Sequence, residues 1–188
     1  MAPFGLLRHH TRTVGGNNKK TVTVKNIYNQ YKTLVFNLAL QYCQNRQDAE
    51  EITQDVFVKV FDKLQTFRKD ADLKTWIYRI TINQSLDFLK HKQRKKRSFI
   101  ISLLSSESSY EENRLPDFDH PGILMEQDES LKILMQKIYR LPKNQKTVII
   151  LLKIEDLPQR EVAEIMKLTE GAVESLFQRA KASLRKML

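Results

Sequence analysis

The sequence predicts an all-α chain: two small helical domains joined by a flexible acidic linker, the C-terminal one a helix-turn-helix. Apolar residues recur at helical spacing over long segments, with almost no strict alternation. Glycine and proline are scarce, five of each in 188 residues, where a turn-rich β protein would need more. Charge is also divided by segment: +4 over residues 1–24, +7 over 25–98, −7 over 99–130 and +6 over 131–188. Two basic modules therefore flank an acidic stretch, and 41% hydrophobic residues suffice for compact cores.

Residues 1–24 mix Gly, Asn, Thr and basic residues without a helical period and read as a disordered basic extension. His9 and His10 are adjacent, so a helix cannot turn both toward one metal, and no Cys or Asp cluster joins them. No metal or cofactor is expected.

The first domain, residues 25–98, starts with a helix over about 26–44 that presents Ile27, Tyr31, Leu34, Val35, Leu38 and Tyr42 on one face. A second follows over about 48–64 and buries Ile52, Val56, Phe57, Val60, Phe61 and Leu64. Its first two turns hold Asp48, Glu50, Glu51, Gln54 and Asp55. Acids there complement the helix dipole, but Asp48, Glu51 and Asp55 also share a face that suits a basic partner. Without a His, Ser or Cys nucleophile or a Gly-rich phosphate loop beside them, these carboxylates do not make an acid/base site, and the chain is not expected to be an enzyme. Cys43, the only cysteine, falls on a buried face as a small core residue and fits a reducing, cytoplasmic compartment. No run is apolar enough for a membrane span.

A third helix, capped by Asp72, turns Leu73, Trp76, Ile77, Ile80 and Phe88 inward. A second, solvent-facing stripe aligns Arg79, Asn83 and Lys90. It ends in Lys92, Arg94, Lys95, Lys96 and Arg97, either a solvated helix end that complements the dipole or an anchor for a phosphate backbone. Residues 99–127, rich in Ser, Glu and Asp and broken by Pro116 and Pro121, form the linker. At ~3.3 Å per residue, some thirty residues reach about 100 Å.

The second domain spans 128–188. Leu131, Leu134, Met135, Ile138 and Leu141 make one helical face; Pro142 ends it, and Val148 to Ile154 mark a buried helix. In the helix-turn-helix that follows, Val162, Ala163 and Met166 face inward, Leu168 fills the turn, Thr169 caps the second helix, and Val173 with Leu176 or Phe177 completes the packing. Glu170, Gly171, Glu174, Ser175 and Gln178 then point at base edges or phosphates, with Arg179, Lys181 and Arg185 farther along the backbone.

Three ordered stretches resemble the two-domain extracytoplasmic-function (ECF) sigma factors of bacterial RNA polymerase: DAEEITQDVFVKVF at 48–61, FRKDADLKTWIYRITINQSLDFLK at 67–90, and LPKNQKTVIILLKIEDLPQREVAEIMKLTEGAVESL at 141–176. The resemblance implies a transcription initiation factor whose Asp48, Glu51, Gln54 and Asp55 bind core RNA polymerase. It implies that the third helix and the loop before it melt and read the minus-10 promoter element, with Asn83 holding a flipped base and Arg68, Lys74, Arg79 and Lys90 gripping the strand. The minus-35 element would be read by Glu170, Gly171, Glu174, Ser175, Gln178, Arg179 and Lys181. It further implies promoter DNA and an anti-sigma factor as partners, and a monomer outside the holoenzyme. Glu174 and Leu176 depart from the basic residues common in the family, and Lys167 stands where a turn glycine is usual. A free-standing helix-turn-helix regulator of duplex DNA is the competing reading, disfavoured because the chain carries no heptads or ligand domain for dimeric half-site binding.

Overall fold

Three capping side chains fix where helices begin. Asn45 accepts from the Asp48 backbone N–H at 3.0 Å, Asp72 from that of Lys74 at 3.2 Å, and Thr169 from that of Ala172 at 3.2 Å. Each satisfies an N–H that its helix leaves unpaired. The computed structural model describes residues 24–64, 67, 72–104 and 129–187. The expectations for residues 1–23, for Arg68 and for linker residues 105–128 lie outside these described residues.

Helices α1 (Val24–Cys43), α2 (Arg46–Lys63) and α3 (Leu73–Leu104) form the first module. Gln44, at φ 58°, reverses the chain between α1 and α2, so α2 starts slightly before Asp48. α3 continues past Arg97 into the segment expected to be linker; its sequence there, SFIISLL, contains no glycine or proline to stop it. The three helices enclose a core of Ile27, Val35, Ala39, Ile52, Val56, Val60 and Ile77. Complete burial of each aliphatic side chain is worth roughly 1.5–3 kcal/mol, which lets helices of modest intrinsic stability hold together.

The second module contains α4 (Glu129–Arg140), α5 (Lys143–Ile149), α6 (Gln159–Met166) and α7 (Glu170–Met187). Directly after α5 comes one π-helical turn, Ile150–Ile154. Ile165, not Leu168, supplies the inward side chain near the α6–α7 turn: Ile165 is 4% exposed and Leu168 38%. α6 ends at Lys167, whose φ of 55° and ψ of 48° place it in the left-handed region. That conformation costs a non-glycine residue about 1 kcal/mol, and the N–H of Leu168 closes the turn on the carbonyl of Ala163 at 3.0 Å.

The modules pack on one another. Opposite the side of α3 that carries Ile77, Tyr78, Ile82 and Leu86 recur every fourth residue and enter one apolar cluster with Met135, Val148, Leu151, Val162 and Ile165. Leu38 and Tyr42 of α1 join it. The Tyr42 hydroxyl donates to Thr147 Oγ1 at 2.9 Å within this cluster. Thr81 and Ser85, buried between the two faces of α3, return their hydroxyls to the carbonyls of Ile77 and Thr81.

Candidate nucleic-acid and polymerase surfaces

The four polar residues expected to bind polymerase divide into two pairs. Asp48 is ion-paired with Lys92 of α3, and Asp55 accepts from the Gln84 amide at 2.7 Å. Lys59 donates to the carbonyl oxygen of that same amide. These contacts fasten α2 to α3. Glu51 and Gln54 are exposed, and Val58, 60% exposed, lies one turn beyond Gln54. Sequence periodicity gave Val58 no role. An exposed Val four residues after Gln54 and seven after Glu51 extends their face with an apolar contact.

On α3, Asn83 and Lys90 are exposed, and Lys90 pairs with Asp87 of its own helix at 3.7 Å. Arg79 departs from the solvent-facing stripe expected for it. It is half-buried, and its guanidinium donates to the backbone carbonyls of Glu164 and of Ile165, the latter at 3.3 Å. Those carbonyls belong to the last turn of α6, where the Glu164 oxygen holds only a long 3.3 Å bond from the Lys167 N–H and the dipole is negative, so a cation is favoured there. Lys74 also reaches across, to Glu161 at 3.7 Å. Trp76 is partly buried, tilted against Phe67 at 4.9 Å between ring centroids.

Between α3 and the second module lies a cleft of about 510 Å³ lined by Trp76, Arg79, Asn83, Lys143, Asn144 and Lys167, among others. Its rim is cationic and rich in amide groups, a chemistry suited to phosphate and base edges. Elsewhere between the modules, Tyr78 donates to Glu155 Oε2 at 2.9 Å. Burial raises the Tyr42 and Tyr78 phenols well above their usual range, so both stay donors at neutral pH. Burial also lowers the Lys146 ammonium, which sits 5.5 Å over the Tyr42 ring.

Along α7, Glu170, Gly171, Ser175, Gln178 and Arg179 are exposed on one continuous side, with Glu174 and Lys181 partly covered. A β-carbon built on Gly171 meets nothing within 4 Å, so the start of α7 is open to an approaching surface. Gln178 donates to the Glu174 carboxylate, and the Lys181 ammonium lies 4.9 Å from the centre of the Phe177 ring. The α6–α7 crossing is further pinned by Gln159, which donates to the Glu170 carbonyl at 2.8 Å. The α7 face is thus mixed in charge, with Glu170 and Glu174 against Arg179 and Lys181, whereas the cleft between the modules is cationic. Among the described residues no group of three or more His, Cys, Asp or Glu converges on a metal site, and no described helix is long and apolar enough to cross a membrane.

Residues 27–95 match the family Sigma-70 region 2, and residues 131–184 match Sigma-70, region 4. The ECF RNA polymerase sigma-E factor of Haemophilus influenzae is 30% identical over 155 residues, which cover 82% of this chain and 82% of that protein. The RNA polymerase sigma-H factor of Pseudomonas aeruginosa is 28% identical over 159 residues, covering 85% and 82% of the two chains. Among solved structures, the sigma factor RpoE of Bartonella quintana, in complex with the anti-sigma factor NepR, superposes with a TM-score of 0.56 at 19% identity, over 86% of this chain and 94% of that one. That last likeness shows a shared fold.

Proposed function

The chain belongs to the extracytoplasmic-function sigma factors of the sigma-70 family, and from that premise we propose how its two modules divide the work of directing transcription to a promoter. The first module docks on core RNA polymerase through α2, with Glu51 and Gln54 as direct contacts and Val58 beside them. Asp48 and Asp55 hold that face in register through Lys92 and Gln84. Asn83 receives a base flipped from the minus-10 element, while Lys74, Arg79 and Lys90, with Arg68 in the preceding loop, grip the strand. The exposed basic end of α3, Arg94 to Arg97, follows nearby phosphates.

The second module sets the start of α7 in the major groove of the minus-35 element. Glu170, Gly171, Glu174, Ser175 and Gln178 face base edges or phosphates, and Arg179 and Lys181 the backbone. The protein is an initiation factor that lends specificity to the polymerase rather than an enzyme. It acts in the cytoplasm, as a monomer outside the holoenzyme, under the control of an anti-sigma factor.

The observation that carries this reading is the exposure of Asn83 at the edge of a cationic cleft, in a chain whose second module presents a free helix-turn-helix face. Run-off transcription with purified core polymerase on sheared genomic DNA tests it. Discrete new transcripts, reduced about tenfold or more by Asn83→Ala, are expected. Absence of transcripts, together with failure to co-elute with core polymerase, would overturn the reading.

A further inference from the structure

Two side chains on the outer face of α7 fix one another. The Gln178 amide donates from Nε2 to Oε1 of Glu174, one helical turn earlier. A carboxylate only accepts, so the amide can turn nothing but its NH2 end toward Glu174. One Nε2 hydrogen therefore goes to Glu174, and Gln178 keeps Oε1 and its second Nε2 hydrogen, one acceptor and one donor, for a ligand. Gln178 is exposed and Glu174 partly so, which leaves this end of the amide open to an approaching surface.

The neighbouring groups add acceptors rather than donors. The Ser175 hydroxyl donates to the Gly171 carbonyl at 2.9 Å, so its oxygen is left to accept. Leu176 packs against the apolar cluster of the second module and Lys181 lies over the Phe177 ring, while Arg179 is assigned above to the DNA backbone. Major-groove edges differ in what they require. Guanine shows two acceptors, N7 and O6, and calls for two donors, as from Arg or Lys; adenine shows the N7 acceptor beside its N6 amino donor. The free end of Gln178 matches adenine. To meet guanine, the amide would have to give both hydrogens to the base and abandon Glu174.

We propose that Glu174 is a positioning residue for Gln178: it orients the amide so that Gln178 reads adenine in the major groove and holds one base pair of the bound duplex to A·T. The proposal rests on the reading of α7 as the partner of the minus-35 element. The Glu174 carboxylate also repels the nearby phosphates, so it lowers total affinity while it raises selectivity. These opposite effects distinguish orientation from support of the fold, because removal of a merely structural residue would weaken both.

The test uses holoenzyme, the full chain with core polymerase, on duplexes carrying the minus-35 element mapped by run-off transcription. Each A·T pair is changed in turn to G·C, and in further duplexes the adenine is replaced by an analogue lacking N7 or by one lacking the N6 amino group. At the pair that Gln178 meets, each change should weaken binding about tenfold, and Gln178→Ala should abolish the difference. Glu174→Ala and Glu174→Gln should each tighten binding to the unaltered duplex severalfold, yet reduce the preference for adenine at that pair by about fivefold or more. Glutamine has the size of glutamate but can face Gln178 with either end of its amide, so it keeps contact without orienting it. Glu174 is partly exposed, and alanine and glutamine both favour a helix, so the melting temperature should hold in both variants. An element in which no A·T pair depends on Gln178, or an unchanged adenine preference in both Glu174 variants, would overturn the proposal alone. Failure of the parent chain to direct any transcript would overturn the promoter reading, and the proposal with it.

Discussion

The Tyr78 hydroxyl donates to Oε2 of Glu155 at 2.9 Å, joining α3 to the residue that closes the π-helical turn. The Glu155 N–H returns to the Ile150 carbonyl at 2.9 Å, so the bond reaches the most deeply packed part of the second module. Burial holds the Glu155 carboxyl above its ordinary value of 4.5, partly offset by the Tyr78 bond and by the charge of Lys74. The folded chain therefore binds this proton more tightly than the unfolded chain. Its contribution is fully present below about 4.5 and is lost as pH rises through the raised value. The melting temperature of the parent chain, measured against Glu155→Gln, should gain as pH falls from 7 to about 4. A difference that stays constant over this range would mean that the carboxyl is not shifted.

The α2 face should separate into residues that bind and residues that brace. Glu51→Ala should leave the melting temperature within experimental error and weaken co-elution with core polymerase, because Glu51 is exposed. Asp55→Ala removes the acceptor of a partly buried amide and should cost about 1 kcal/mol of stability. Calorimetry and a polymerase pull-down on both variants check this division; equal effects on both readouts would contradict it.

Gly171 offers a substitution with opposite effects on stability and binding. Its β-carbon position faces open space, and alanine is up to about 1 kcal/mol better than glycine within a helix. Gly171→Ala should therefore raise the melting temperature by about 2 °C. If the start of α7 closes on the DNA backbone, the added methyl group should also weaken binding to a minus-35 duplex severalfold in fluorescence anisotropy. Improved stability with unaltered duplex affinity would move the groove contact away from Gly171.

Cys43 should be inert as long as the chain is folded. Burial pushes its thiol up from 9.0 to about 11, and the Sγ donates to the Asn45 carbonyl at 3.2 Å. A thiol with a raised folded-state value supports the fold fully below about 9 and loses that support as pH climbs toward 11. Maleimide at pH 8 should leave the native chain unmodified and label it promptly in denaturant. Cys43→Ala should reduce the fall in stability between pH 9 and 11.

The amino-acid sequence by itself determined the helices, their inward faces and the caps at Asp72 and Thr169. These follow from short-range physics: a 3.6-residue period and side-chain oxygens placed next to unpaired N–H groups. It also determined the family, because three motifs in fixed order carry that resemblance. It located the exposed α7 residues and Asn83 for the same reason, since a residue off the apolar stripe of an amphipathic helix faces solvent.

What lay beyond reach was anything set by a partner distant in the chain. Tyr78, Ile82 and Leu86 form a second apolar row on α3, legible only as a pattern with no address; the second module supplies what they pack against. Leu168 looked like a turn filler and is exposed because the left-handed Lys167 swings the chain outward after Ile165 has filled the space. Arg79 sits at helical spacing from Asn83, which predicts a shared stripe. Only tertiary packing decided that its guanidinium crosses to the carbonyls of Glu164 and Ile165, because the negative end of a helix dipole attracts a nearby cation wherever the chain brings them together.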